Sequence, residues 1–348
     1  MNTLIRNLQQ TVNGLCSLAC AGRAPGTAGG KAARAVVLEA LREAGCQPKE
    51  QAVPGCEGAN VLAEVKGDAE RWILVGAHYD HLGQHGSNIY FGADDNAAAV
   101  AILVEVGRAL AAQPPSGRSV VLAAFDGEEP PHFHTAGMGS AHFVAHPTVP
   151  LEQLDLMVCM DLVGHAVGPA GAPSEVRQSI FALGAERSEG TAALVDSLAR
   201  AQPGVVVRRA DADVIPALSD HWAFWHQQVP FLFLTNGRWE HYHQPTDTPD
   251  KLDWAKMAAT ALWLEQLVRA ACARPERKVR FANVHDDAST LTSLRGLLTA
   301  LRTIKPDAEV GLSAIGRLET QLNAAGQLPP ELHAQTQALV EMIELSLS

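Results

Sequence analysis

Between residues 61 and 273, short apolar runs of strand length alternate with patterns of helical period. The runs fall at 61–65, 72–77, 120–125, 156–160, 180–183, 205–207 and 231–234. Helical patterns lie near 97–112, 140–146, 191–201, 219–227 and 254–273. Apolar runs interleaved with helices are the mark of strands buried on both faces. The expected fold is therefore α/β: a mixed, mostly parallel central sheet with helices on both faces. In such sheets, ligand-binding groups sit where the chain leaves the carboxyl ends of the strands. Upstream, Leu4, Leu8, Val12, Leu15 and Leu18 recur at helical spacing, and an alanine-rich helical pattern follows at 31–44. A change of composition at Arg274-Pro275-Glu276-Arg277-Lys278 opens a tail with three leucine-bearing helical patterns, at 291–301, 312–322 and 332–343. Pro306 and Pro329-Pro330 punctuate them. The division expected is a main domain at 1–273 and a C-terminal helical extension at 274–348. The extension reads as a small bundle, and its exposed faces allow a homo-oligomer.

The chain has 348 residues, 47% of them hydrophobic, enough for a sizeable core. A formal net charge of −11 argues against nucleic acid as a partner and suits a metal or a cationic group better. No apolar run approaches the roughly 18–20 residues that cross a bilayer, so no membrane partner is expected. Residues 14–20 look like the end of an export signal. Only Arg6 is basic there, however, and Asn7, Gln9, Gln10 and Asn13 interrupt any apolar stretch, so an amphipathic helix and a cytoplasmic protein are expected. The six cysteines fit neither a disulfide framework nor a C-x-x-C metal pattern, which suits free thiols in a reducing compartment.

Several chemistry-bearing groups follow the predicted strands. His78 and Asp80 stand in Gly76-Ala77-His78-Tyr79-Asp80-His81, and the carboxylate two residues on can hydrogen-bond the imidazole. Asp94 and Asp95 introduce a helix, where one acidic residue is ordinary capping and two less so. Glu128 and Glu129 follow run 120–125; one of an adjacent pair can hold a metal while the other stays free as a base. Asp161 ends an apolar run in which an unpaired carboxylate would be costly. His241, Tyr242 and His243 follow run 231–234. Carboxylates and imidazoles together suit zinc at a catalytic site, with manganese or cobalt as alternatives. A serine hydrolase is a poor rival, because no G-x-S-x-G elbow is present.

These motifs, in this order, resemble the co-catalytic zinc exopeptidases: bacterial leucyl aminopeptidases, glutamate carboxypeptidase and the related glutaminyl cyclases. The resemblance covers roughly residues 20–270. It rests on Gly22-Arg23-Ala24-Pro25-Gly26-Thr27, G-A-H-Y-D-H, Gly92-Ala93-Asp94-Asp95-Asn96-Ala97, the Glu128-Glu129 pair with Gly139-Ser140, Met160-Asp161, Ser219-Asp220-His221, and His243 with Asp247-Thr248. It implies two zinc ions per chain, bridged by Asp95, with His78 and Asp161 completing one site and Glu129 and His243 the other. It further implies Glu128 as general base, Asp80 as partner of His78 and, by the carboxypeptidase branch, Tyr242 as an oxyanion donor. The implied activity is an aminopeptidase acting on peptides or small aminoacyl substrates. Residues 130–136 lengthen the usual spacing after the glutamates and read as a plain loop or a rigid lid, with an extra metal site from His132 and His134 as a further alternative. Cys159 stands where the family usually has asparagine. Trp222, Phe224, Trp225, Trp239 and Phe133 either line a specificity pocket or belong to the core. Two other functions fit the same residues: a cyclase-like acyltransferase with one zinc, and a silent binding protein on the same fold.

Overall fold

The computed structural model describes residues 1–347; Ser348, the last residue of the expected extension, lies outside them. The strands are β1 (Lys49–Val53), β2 (Gly58–Val65), β3 (Ala69–His78), β4 (Gln84–His85), β5 (Asn88–Ile89), β6 (Arg118–Phe125), β7 (Leu154–Met160), β8 (Ser179–Leu183), β9 (Val206–Ala210) and β10 (Phe231–Thr235). The α-helices are α1 (Asn2–Leu15), α2 (Ala28–Glu43), α3 (Ala98–Ala112), α4 (Gly139–Ala145), α5 (Ser174–Arg177), α6 (Thr191–Leu198), α7 (His221–His226), α8 (Trp254–Cys272), α9 (Asp287–Leu301), α10 (Ala308–Glu319) and α11 (Pro330–Leu347). Eight strands form one sheet in the order β1-β2-β6-β3-β7-β10-β8-β9, while β4 and β5 pair separately. The four central strands β6, β3, β7 and β10 run parallel. Antiparallel pairings lie outside them, at β1–β2, β2–β6 and β10–β8. The α/β expectation thus holds, down to the helices that follow the strands. Edge strand β1 was not foreseen, because Lys49-Glu50-Gln51 is polar and mostly exposed and carries no apolar run.

Alternation along the central strands divides the core in two. Ile73, Val75 and Ala77 of β3 and Leu156, Val158 and Met160 of β7 face one cluster, which takes in Leu8 of α1, Val37 of α2, Leu103 of α3 and Trp263 of α8. Trp72 and Leu74 of β3 and Met157 and Cys159 of β7 face the other, with Phe143 of α4 and Phe224 of α7. A third cluster joins Leu291, Leu294 and Leu298 of α9, Ile315 of α10 and Leu339 and Ile343 of α11 to Val167, Ala172 and Val176. The last three helices therefore lie against the segment that follows β7. All six cysteines are unpaired, and five of them are buried.

A polar network sits on the same boundary. Arg187 donates to Asn283 Oδ1 at 2.6 Å and to the carboxylate of Asp213. Glu186 accepts from Ala212 N at 2.9 Å and Arg187 Nε at 3.2 Å, while its Oε2 has no partner. Burial, reinforced by Asp211, pushes the Glu186 carboxyl up to about 7. Its native pKa stands above its unfolded one, so the native state holds more protons between about pH 4.5 and 7, and this group makes stability fall as pH rises through that window. Glu186→Gln is expected to raise stability by on the order of 2–3 kcal/mol at pH 8 and by almost nothing near pH 4.5. Denaturant midpoints of both proteins at the two pH values check this, and an equal gain at both would refute the assignment.

Candidate metal centre

The site lies at the carboxyl ends of the four parallel strands. β3 ends in His78; β6 leads to Glu128 and Glu129, β7 to Asp161, and the chain after β10 to Tyr242 and His243. Asp95 comes from the turn that precedes α3. His78 Nε2 stands 3.4 Å from Asp95 Oδ1 and 3.6 Å from Asp161 Oδ1. His243 Nε2 stands 3.2 Å from both Asp95 Oδ2 and Glu129 Oε2. Asp95 thus presents one oxygen to each group, and all five residues expected to hold metal meet around it. Glu128 Oε2 is 3.8 Å from His78 Nε2.

The side chains around this centre fix its backbone. Asp80 Oδ1 and Oδ2 accept from Glu128 N and Glu129 N, each at 3.1 Å. Its carboxylate is 3.6 Å from His78 Nδ1, and the nearer atom is its own main-chain carbonyl, at 3.3 Å. Asp80 therefore sets the two glutamates as much as the imidazole. Of the aspartate pair, Asp94 is turned away from the centre: its Oδ1 accepts from Gly164 N and His165 N, and its Oδ2 is 2.7 Å from His165 Nδ1. Asp247 accepts from the backbone N–H groups of Asp94 and Asp95 at 2.9–3.1 Å. Fully buried Arg23 gathers the carbonyls of Tyr79, Phe91, Gly92 and Asp95. Gly92 has a φ of +56°, and a Cβ there would stand 2.2 Å from Asp95 O, so the turn admits only glycine.

The sequence reading gave His81 no role. Its Nδ1 is 2.7 Å from Glu129 Oε1, and its ring centroid is 5.9 Å from that of His243. His81, Asp95 and Glu129 also converge closely enough to hold an ion. His81 Nδ1 is 4.0 Å from Asp95 Oδ2 and hydrogen-bonded to Glu129, however, whereas His243 Nε2 lies 3.2 Å from both carboxylates. We therefore take His81 as the group that orients Glu129. Its signal was available as the second histidine of G-A-H-Y-D-H.

Electrostatics shows what this donor set suits. Burial pushes Glu128 well above the ordinary carboxylate range, with Glu129 and Asp161 reinforcing it and His78 opposing. Burial likewise raises Asp161 and lifts Asp220 to about 7. Burial would lower His243, but the carboxylates of Asp95 and Glu129 hold it up to about 10. Burial and then Asp95, Asp161, Glu129 and Glu128 raise the Tyr242 phenol, which keeps its proton. His78 Nε2, Asp95 Oδ2, Asp161 Oδ1 and His243 Nε2 are all buried without a hydrogen-bond partner. Buried polar atoms left unpaired are costly, and divalent cations are the partner that this donor set fits.

A cleft of about 160 Å³ opens on the centre. Pro130 and Phe133 of the lengthened loop line it, together with Tyr242, Ile215, Pro216 and Leu218. Of the five aromatic residues considered for a specificity pocket, Phe133 alone lines this cleft. Phe224 is core, Trp222 stacks on His134 and Trp239 on His165. His134 is also held by Ala217 O at 3.1 Å, and among the described residues no metal-type cluster includes it or His132. Cys159 Sγ lies 3.6 Å from Ser219 Oγ. A third convergence, Asp211, Asp213 and His285, already has the Arg187 guanidinium as its cation.

Residues 60–268, more than half of the chain, match the model of peptidase family M28, and the chain belongs to that family. It is 29% identical over 248 residues to the uncharacterized protein YfbL of Escherichia coli (strain K12), covering 64% of this chain and 74% of that one. It is 26% identical over 223 residues to the glutaminyl-peptide cyclotransferase of Drosophila melanogaster, covering 58% and 62%. Among solved structures it is similar to the LapA aminopeptidase of Legionella pneumophila, with a TM-score of 0.63 at 16% identity over 79% of this chain and 75% of that one. It is also similar to the glutaminyl cyclase of Tannerella forsythia, with a TM-score of 0.60 at 17% identity over 76% and 98%.

Proposed function

We propose that this chain is a zinc-dependent aminopeptidase with two metal ions, held by His78, Asp95 and Asp161 on one side and Asp95, Glu129 and His243 on the other. The observation that carries the reading is the single carboxylate of Asp95, with one oxygen toward each imidazole and unpaired ligand atoms on both sides. Zinc held there would supply a water of lowered pKa and a Lewis acid for the scissile carbonyl. Glu128, which lines the cleft, accepts the proton of the attacking water and returns it to the departing amine. The protonated Tyr242 hydroxyl, facing the cleft, donates to the carbonyl oxygen as it gains charge. The family and its aminopeptidase neighbour support hydrolysis of peptides from the amino end. Free thiols support a reducing compartment such as the cytoplasm.

The glutaminyl cyclases among the relatives supply the rival reading. The intact His78–Asp95–Asp161 group favours the two-metal enzyme, because one ion would leave those atoms unpaired. Metal titration of the chelated protein is expected to saturate near two zinc ions per chain and to restore release of amine from aminoacyl amides. Saturation near one, with cyclisation of N-terminal glutamine and no amide hydrolysis, would overturn the proposal.

A further inference from the structure

The helix α11 lies outside the part of the chain that matches the family, yet it reaches the cleft. Glu344 of α11 and Arg238, three residues beyond the end of β10, line the same cavity as Asp95, Glu129 and Asp161. The two are locked together. Glu344 Oε1 accepts from Arg238 N at 2.7 Å, and Oε2 accepts from Arg238 Nε at 3.2 Å and Nη2 at 2.7 Å. The turn beneath is fixed as well, since Gly237 N donates to Thr235 Oγ1 at 3.1 Å.

This clamp uses one edge of the guanidinium. Nη1 makes no hydrogen bond among the described residues, and the side chain is 46% exposed. Both oxygens of Glu344 are occupied and that side chain is mostly buried, at 19% exposure. Glu341, one turn earlier on α11, adds a more distant negative charge. Apart from His243, which faces the centre, Arg238 is the one cationic side chain lining the cleft among the described residues. A guanidinium held along its Nε–Nη2 edge, on a residue that lines the cleft and with Nη1 outside the clamp, is preorganised to receive a carboxylate.

We propose that Arg238, positioned by Glu344, is a specificity-determining residue that binds a carboxylate of the substrate. The inference rests on the peptidase reading and names its substrate class: short peptides bearing a carboxylate within reach of the metal centre. That carboxylate is either the free carboxyl end of a dipeptide or an acidic side chain.

Two substrate pairs separate these sources: Leu-Leu against Leu-Leu amide, and Glu-p-nitroanilide against Leu-p-nitroanilide. In one pair the zinc-loaded protein is expected to favour the carboxylate-bearing member about 10- to 100-fold in kcat/KM, mainly through KM. Arg238→Ala should bring that ratio close to one, Arg238→Lys should keep part of it, and Glu344→Gln should lower it by freeing the guanidinium. Calorimetric titration of the preferred pair into the Glu128→Gln protein reads the same preference without turnover. If Arg238→Ala does not fold, the wild-type ratio and Glu344→Gln decide. Equal use of both members in both pairs, or a preference that survives Arg238→Ala, overturns the inference and leaves the peptidase reading intact. Failure to hydrolyse any of the four substrates overturns both.

Discussion

Glu128→Gln is expected to lower kcat by on the order of 10²- to 10⁴-fold while leaving metal content and substrate KM nearly unchanged. The expectation follows from where the side chain stands. It lines the cleft, and its Oε2 lies 3.8 Å from His78 Nε2 without joining either group of close ligand atoms. Its backbone is pinned by Asp80, so an amide of the same shape takes the same place and removes only the ability to accept a proton. Single-turnover kinetics with an aminoacyl amide, together with metal analysis of the same sample, check both halves. Loss of one zinc ion from the variant would make Glu128 a ligand instead, and unchanged turnover would move the base elsewhere.

Arg23→Ala is expected to cost on the order of 3–5 kcal/mol of stability in the metal-free protein and to weaken zinc binding further. One fully buried guanidinium serves four carbonyls on the two segments that present the centre, Tyr79 just after β3 and Phe91, Gly92 and Asp95 in the turn before α3. Removal leaves those oxygens unpaired in the core and lets Asp95 drift from His78 and His243. Lysine is not expected to rescue it, since a single ammonium cannot span the fork. Denaturant unfolding with chelator present gives the structural cost, and zinc titration gives the functional one. A loss below about 1 kcal/mol would show that the turn holds its shape without the arginine.

Most of the sheet was legible because its central strands are buried on both faces, and burial writes itself into sequence as unbroken apolar runs. β1 escaped because an exposed edge strand needs no such run. The residues that meet around Asp95 were visible from motif order, each at the exit of a strand. What the sequence concealed is how the polar residues divide their work. Asp94 and Asp95 are adjacent and chemically identical; only the turn set by Gly92 and Arg23 sends the first to Gly164 and His165 and the second to the imidazoles. Asp247 stood in the sequence only as part of the motif after His243, and it proves to cap that turn across 152 residues of chain. The approach of α11 to the cleft was equally hidden, because pairs such as Arg238 and Glu344 leave no local pattern.

The alternation along β3 and β7 has one more effect. His78 lies on the face of β3 shared by Trp72 and Leu74, and Asp161 follows β7 in phase with Met157 and Cys159. Side chains swap faces with every residue, so a nascent chain that zipped these strands together one position out of step would send one of the two to the wrong side. The 3.6 Å approach of the His78 ring to the Asp161 carboxylate is therefore also a mark of register: it exists only where β3 and β7 are paired as they are here.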